Sequence, residues 1–278
     1  STCDAEIIAP GYLAWGEDLF NRLEGMFAIA LWDARERKLI LARDSIGIKP
    51  LLFSKSIKSL RFASELKALL ALPDQNSKVS ARALHSYLAQ GYAGPRHTLV
   101  NDVEYLLPGT ILVAKDGGMH TRRFWSPKRT GEIRSIGDAV EAFTPVLNKV
   151  VSDMLISDVP LGVLQSGGID SSLITSQLGD QTSISAYTGR FANASYDESE
   201  MAALVARTIG IPHYIIDVDR NESAIAIFEA VARHTDGQLS DSSAYAFYLV
   251  CKRARQYVSV LMSGDGADEF FGGYETFA

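Results

Sequence analysis

Gln165-Ser166-Gly167-Gly168-Ile169-Asp170-Ser171-Ser172 is the stretch on which the reading of this chain turns. Before it, Asp158-Val159-Pro160-Leu161-Gly162-Val163-Leu164 is a short apolar run, predicted to be a buried strand. After it, residues 173–178 are predicted to form a short helix stopped by Gly179. Strand, glycine-rich loop and helix in that order let the backbone turn sharply and approach a ligand closely. Free N–H groups at the helix start then favour an anion, with phosphate the natural guest. No lysine follows the glycines, so this is not the Gly-x4-Gly-Lys-Ser/Thr nucleotide loop. Asp170 stands in the loop instead, and a carboxylate beside phosphates implies a cation between them, magnesium being the expected one. A plain serine/glycine turn is the competing reading.

The 278 residues suggest two domains or one large one. Apolar residues make up 47% and charged residues 22%, ordinary for a soluble globular protein. A formal net charge of −6 argues against a nucleic-acid partner, which would want a basic face. Cys3 and Cys251 are the two cysteines, which fits a reducing cytoplasm better than a disulfide framework. No apolar run reaches the ~18 residues of a membrane span, and no signal peptide is expected. The chain starts without methionine and stops at Phe277-Ala278, soon after a glycine-rich loop.

Helical pieces are predicted over 4–13 and 18–23, and a strand buried on both faces over 25–32. The polar turn 33–37 leads to a returning strand over 38–43, and a second hairpin pairs 50–54 with 60–64. A short helix over 65–70 precedes a second, capped by Ser80 and ended by Gly91. Clustered strand pairs with helices suggest an α+β layer structure.

These residues carry a resemblance. Leu23-Glu24-Gly25-Met26-Phe27-Ala28 with Trp32-Asp33, Ala42-Arg43-Asp44 with Gly47-Ile48-Lys49-Pro50-Leu51, and Phe62-Ala63-Ser64-Glu65-Leu66-Lys67-Ala68-Leu69 resemble the glutaminase domain of class II glutamine amidotransferases. Leu107-Pro108-Gly109 and Phe124-Trp125 resemble the end of that domain in glutamine-hydrolysing asparagine synthetases. The resemblance implies a partial Ntn-hydrolase-like fold over 1–128. It puts Asp4 on the aspartate that holds the glutamine amino group, with a helix N-cap as the alternative. The family's nucleophile is an N-terminal cysteine, and the register of Asp4 places it upstream of Ser1, so Cys3 is not expected to serve. Arg43 and Asp44 are expected to form a structural ion pair.

The polar run after Trp125 is the expected boundary. An amphipathic helix over 138–157 should place Phe143, Leu147, Val150 and Met154 on one face, with Pro145 kinking it. Strands over 184–188, 213–218 and 258–262 then alternate with a helix opened at 197–200 and running to Ile209 and with helices over 221–234 and 243–257. Asp197 to Glu200 reads as a capping box, and Ile225, Phe228 and Ala232 as an inward face. Alternation means a parallel sheet with ligands at the carboxyl ends of its strands. Ser263-Gly264-Asp265-Gly266-Ala267-Asp268-Glu269 leaves one such end with three carboxylates within five residues; a solvated acidic turn is the alternative.

This loop and the opening one together resemble the signature loops of the ATP-pyrophosphatase domain of asparagine synthetases, over 129–278. The resemblance implies that Ser166, Gly167, Gly168, Asp170 and Ser171 bind pyrophosphate, and that Asp170 and Asp268 hold magnesium. Gln165, Thr188, Ser263 and Gly264 fall on nucleotide contacts, and Asp265 on an acidic position tied to acyl-adenylate formation, where some members carry glutamate. Asp241 falls near the substrate site or caps a helix. The five histidines show no ligand spacing.

The implied activity is glutamine-dependent synthesis of asparagine from aspartate and MgATP through a β-aspartyl-adenylate, releasing AMP and pyrophosphate. Its partners would be glutamine, aspartate, ATP and ammonia, with no nucleic acid and no membrane, and a homodimer is allowed. Related readings are an amidotransferase or lactam-forming synthetase for another carboxylate, or a non-catalytic nucleotide-binding module.

Overall fold

The computed structural model describes residues 3–56, 59–128, 131, 133–178, 184–193, 195, 197–218, 223–237 and 239–274. The chain divides into two compact units. The first comprises Ser1–Thr130 with His234–Ser240, and the second Gly131–Arg233 with Asp241–Ala278.

The first unit opens with a 3-10 turn over Asp4–Ile7, helix α1 (Ile8–Trp15) and a second 3-10 turn over Gly16–Asn21. Strands β1 (Ala28–Asp33) and β2 (Lys38–Arg43) form the first predicted hairpin. Strands β3 (Leu52–Lys55) and β4 (Leu60–Ala63) form the second. Helix α2 (Leu66–Leu70) and helix α3 (Ala81–Gln90) follow, with Ser80 accepting the Ala83 N–H and Gly91 closing α3. Strands β5 (Glu104–Tyr105), β6 (Thr110–Lys115) and β7 (Gly118–Arg123) complete the unit. The order is β1-β2-β6-β7 in one antiparallel sheet and β4-β3-β5 in the other. Leu19, Phe20, Ile40, Ala42, Ile111 and Val113 fill one core, and Leu41, Leu51, Phe53, Leu106 and Leu112 another.

Two expectations are corrected here. Strand β1 is not buried on both faces: it is an edge strand, and Trp32 is 60% exposed. Arg43 and Asp44 turn to the backbone rather than to each other. Arg43 donates to the carbonyls of Lys49 (3.0 Å), Leu106 (2.8 Å) and Gly47 (2.7 Å). The buried Asp44 carboxylate accepts the N–H groups of Gly47 (2.7 Å), Ile48 (2.9 Å), Lys49 (2.9 Å) and Phe27 (3.2 Å). A carboxylate among four amides replaces the solvation it lost on burial.

The second unit begins with helix α4 (Ile136–Met154), capped by Ser135 and continuous through Pro145. Pro145 and Glu141 are both exposed, so water can satisfy the carbonyl left without an N–H partner. The inward face of α4 is Leu147, Val151 and Leu155, a spacing of four, while Val150 and Met154 are largely exposed. Next come β8 (Leu161–Leu164), α5 (Ile169–Ser176), β9 (Ser185–Arg190), α6 (Ser199–Ile209) and β10 (His213–Asp217). Helices α7 (Ala224–His234) and α8 (Ser243–Ala254), strand β11 (Val260–Met262) and helix α9 (Ala267–Phe271) finish it. Gly179, Tyr196 and the expected start of α7 at residue 221 lie outside the described residues. On α7 the buried residue is Ile227, packed with Val231; Ile225 and Phe228 are each 72% exposed. The capping box is absent: Asp197 instead makes a local turn, accepting from the Ser199 N–H and hydroxyl.

All strand pairs of this unit are parallel, and the order is β10-β9-β8-β11. The chain walks from β8 outward through β9 to β10, then returns to lay β11 on the other side of β8. The connections leaving β8 and β11 therefore diverge at a topological switch point, where open parallel sheets bind ligands.

Candidate active site

The first loop spans Gln165 to Gly168, between β8 and α5. Helix α5 begins at Ile169, four residues earlier than predicted, so Asp170, Ser171 and Ser172 lie in its first turn. Gly167 has a φ of +94°, and a Cβ there would lie 3.1 Å from the Ala202 nitrogen and the Glu198 oxygen. Conformation and space both demand glycine. Ser171 donates its hydroxyl proton to the Gly168 carbonyl (3.2 Å), so at 3.0 Å it accepts from the Ser166 hydroxyl. Ser166 in turn accepts the Gly168 N–H at 3.2 Å. The two serines thus fold the loop onto the helix start.

Gln165 is 1% exposed and fully engaged. Its Nε2 donates to Ser172 at 3.0 Å and its N–H to the Tyr187 carbonyl at 3.0 Å. Its side-chain amide also meets the Thr175 hydroxyl, which lies 2.7 Å from the Ser171 carbonyl as well, and its carbonyl accepts from the Thr188 hydroxyl. With its side chain and N–H committed, what Gln165 has left for a ligand is the second lone pair of its carbonyl. Ser172, Thr175 and His213 were not singled out from the sequence. Their legible signal was polar residues facing inward: Ser171 and Thr175 are both buried on α5.

The second loop runs Ser263 to Gly266, between β11 and α9. Ser263 donates to Asp265 at 2.9 Å. Gly264 meets the first loop's helix: a Cβ there would lie 3.0 Å from the Ser171 nitrogen and 3.1 Å from the Asp170 carbonyl carbon and Cβ. The Asp268 carboxylate lies back over Gly273, and Glu269 accepts from the Tyr274 hydroxyl at 2.8 Å. Burial first, then the charge of Asp265, push the Cys251 thiol above its usual range. The switch point thus brings Gln165, Ser166, Gly167, Gly168, Asp170, Ser171, Thr188, Ser263 and Gly264 to one end of the sheet, with Asp265 on the second loop and Asp268 in the first turn of α9.

Among the described residues no group of three or more His, Cys, Asp or Glu side chains is arranged to hold a metal. Carboxylates from two loops, completed by phosphate oxygens and water, are nevertheless a suitable set for magnesium, which keeps several waters. Asp241 accepts the Ser243 N–H at 2.8 Å, a local turn just before α8, whose N-cap residue is Ser242.

In the first unit, Asp4 is exposed at the start of its 3-10 turn and provides no cap bond there; Cys3 is the cap residue. Cys3 is also exposed, its sulfur 3.9 Å from the Asp4 carboxylate. A pocket of about 460 Å³ lined by Asn21, Arg123, Phe124, Trp125, Ser126 and Lys128 contains no predicted site residue. No helix among the described residues is long and apolar enough to cross a membrane.

Comparison with known proteins accounts for both units. Residues 1–125 match the glutamine amidotransferase domain family, and residues 142–278 match the asparagine synthase family. The chain is 34% identical over 280 residues to a putative glutamine-hydrolysing asparagine synthetase of Mycobacterium tuberculosis, covering 98% of this chain and 43% of that one. It is 30% identical over 280 residues to the glutamine-hydrolysing asparagine synthetase 1 of Bacillus subtilis, covering 99% and 43%. It is 28% identical over 298 residues to amidase chyE of Penicillium rubens, covering 99% and 44%. The chain thus spans less than half the length of these relatives. It carries a domain of the glutamine amidotransferase family followed by a domain of the asparagine synthase family, and it resembles glutamine-hydrolysing asparagine synthetases along nearly all of its length.

Proposed function

We propose that this polypeptide takes part in ATP-dependent, glutamine-hydrolysing synthesis of asparagine. The observation that carries the reading is the seating of Gly264 against the backbone of Asp170 and Ser171, which joins two acidic, glycine-rich loops at one switch point. Residues 1–128 are the glutaminase part, Ntn-hydrolase-like, with Asp4 holding the amino group of glutamine. Residues 129–278 are the ATP-pyrophosphatase part.

In the second part the amides of Ser166, Gly167, Gly168 and Ser171 bind the β- and γ-phosphates of ATP, joined by the Ser166 and Ser171 hydroxyls once these rotate out of their bonds within the loop. The backbones of Gln165, Thr188, Ser263 and Gly264 position the adenosine. Asp170 and Asp268 hold magnesium, which when bound neutralises charge on the phosphates. The side-chain carboxylate of aspartate attacks the α-phosphorus, the bond to the β-phosphate oxygen breaks, and pyrophosphate leaves. Ammonia then attacks the β-aspartyl carbonyl, giving asparagine and AMP. Asp265 lies on the loop facing that exchange. The residues contribute positioning and charge complementarity rather than a covalent bond to substrate.

A second reading has support of its own: the match to amidase chyE covers 99% of the chain at 28% identity, as does that to asparagine synthetase 3 of Bacillus subtilis. The same machinery would then activate another carboxylate. The test is an acceptor panel with MgATP and ammonia, following AMP. Turnover with aspartate supports asparagine synthesis; turnover with another acid alone moves the function to the second reading; absence of AMP with every acid overturns both.

A further inference from the structure

Gln165 is where strand β8 becomes the phosphate loop, and its carbonyl is held by the Thr188 hydroxyl of the neighbouring strand β9. That hydroxyl has a second partner. His213, on strand β10 beyond β9, places its Nε2 2.8 Å from the Thr188 oxygen. A hydroxyl has one proton. A carbonyl cannot donate, so the short Thr188–Gln165 contact requires the Thr188 proton. Thr188 must therefore accept from His213, and His213 must carry its proton on Nε2.

We propose that His213 is a positioning residue for the nucleotide site, acting through Thr188 to fix the backbone of Gln165 at the mouth of the phosphate loop. This rests on the ATP-pyrophosphatase reading above. The relay crosses three adjacent parallel strands, in the register that pairs His213 with Ala186 and Ile215 with Thr188. Thr188 is 4% exposed and Gln165 1%, so water does not substitute readily for a lost link. On its other side Gln165 is held to α5 through Ser172 and Thr175. The strand-side hold is the Tyr187 carbonyl and this relay. Burial first, then the charge of Arg207, hold His213 below its usual range, which keeps the imidazole neutral and its tautomer meaningful. A further consequence concerns Thr188: its hydroxyl proton is committed, so it offers the nucleotide its backbone and methyl group, not a donor.

The relay is tested by MgATP titration calorimetry on the chain and on His213→Phe, His213→Gln, Thr188→Val and His213→Phe/Thr188→Val, each checked by thermal melting to be folded at the assay temperature. A neutral hydrogen bond in such a position is worth about three- to tenfold in affinity. His213→Phe should weaken MgATP binding by that factor. His213→Gln, whose amide nitrogen can donate in place of Nε2, should recover most of it. The double variant should bind no more weakly than Thr188→Val, because His213 acts through Thr188. Unchanged binding in His213→Phe, or additive losses in the double variant, would overturn the relay. Absence of MgATP binding by the unmutated chain would instead overturn the reading of the site. Nitrogen-15 shifts of the His213 ring decide the hydrogen-bond direction without nucleotide and without substitution: Nε2–H is expected, and Nδ1–H would overturn the relay.

Discussion

Substituting Gly264 by alanine perturbs a place where the two loops of the second unit touch. Gly264 does not have the left-handed φ of its neighbour Gly266, so alanine fits the backbone and the cost is spatial. The new Cβ would lie 3.0 Å from the Ser171 nitrogen, whereas ordinary contact begins at 3.4 Å. The loops must part by roughly 0.4 Å, and the atoms in the way are backbone in the first turn of α5, which cannot swing aside. Overpacking of this kind costs about 1–3 kcal/mol of stability. A misplacement near 1 Å costs about 10²-fold in rate, so this displacement should cost about five- to tenfold in AMP formation. The assay pairs urea denaturation with pyrophosphate release from MgATP. Gly210→Ala is the control, with a φ of +85° and open space around its Cβ. It should lose about 1–2 kcal/mol of stability and leave the loops, and hence the rate per folded molecule, untouched. Equal rates for the two variants would refute the idea that loop contact positions the site.

Asp44→Asn should destabilise the first unit by about 2–4 kcal/mol, because one oxygen cannot replace two that together accept four N–H groups; a urea midpoint within error of the parent would contradict this. Asp236 accepts the N–H groups of Leu66 (2.6 Å) and Lys67 (3.3 Å) at the start of α2 and pairs with the Lys67 ammonium at 3.1 Å. Asp236→Ala should cost about 1–2 kcal/mol in the same assay, and no loss would remove the cap from the account. His213 titrates below its usual value when folded, so the unfolded chain takes up the proton at higher pH. Stability of the second unit should be whole above about pH 6.5 and fall as pH drops through the lowered value, a slope that His213→Gln should flatten. A parent slope of the opposite sign, or one unchanged in the variant, would show that His213 is not its source.

The alternating pattern after residue 160 was enough to foresee a parallel sheet, and the two glycine-rich strings located its carboxyl-end loops. Apolar residues alone did not fix which face turned inward. On α7, Ile225 and Phe228 were as plausible as Ile227, and only packing beneath the helix made Ile227 the buried one. On α4 the inward set runs at a spacing of four through Leu147, Val151 and Leu155, which a stripe through Val150 and Met154 missed by one residue. The β6–β7 hairpin was overlooked because β7 is a polar, exposed strand, although Asp116-Gly117 after the apolar β6 is a turn signal and both residues adopt positive φ. Arg43 beside Asp44 suggested a pair of opposite charges; what the sequence could not show was that the loop after β2 would bring backbone groups to each. His213 was invisible for a similar reason. Its partner Thr188 lies twenty-five residues away and becomes its neighbour through strand pairing alone.

The central claim is that the carboxylate acceptor attacks the α-phosphorus of ATP at the two acidic loops. It is tested most directly by giving the full polypeptide aspartate labelled with oxygen-18 in its side-chain carboxylate, together with MgATP and ammonia, and locating the label by mass spectrometry. The account predicts one labelled oxygen in AMP, unlabelled pyrophosphate, and losses of about 10²–10³ in rate for Asp170→Asn and Asp268→Asn. Label in inorganic phosphate with ADP as the nucleotide product would contradict it.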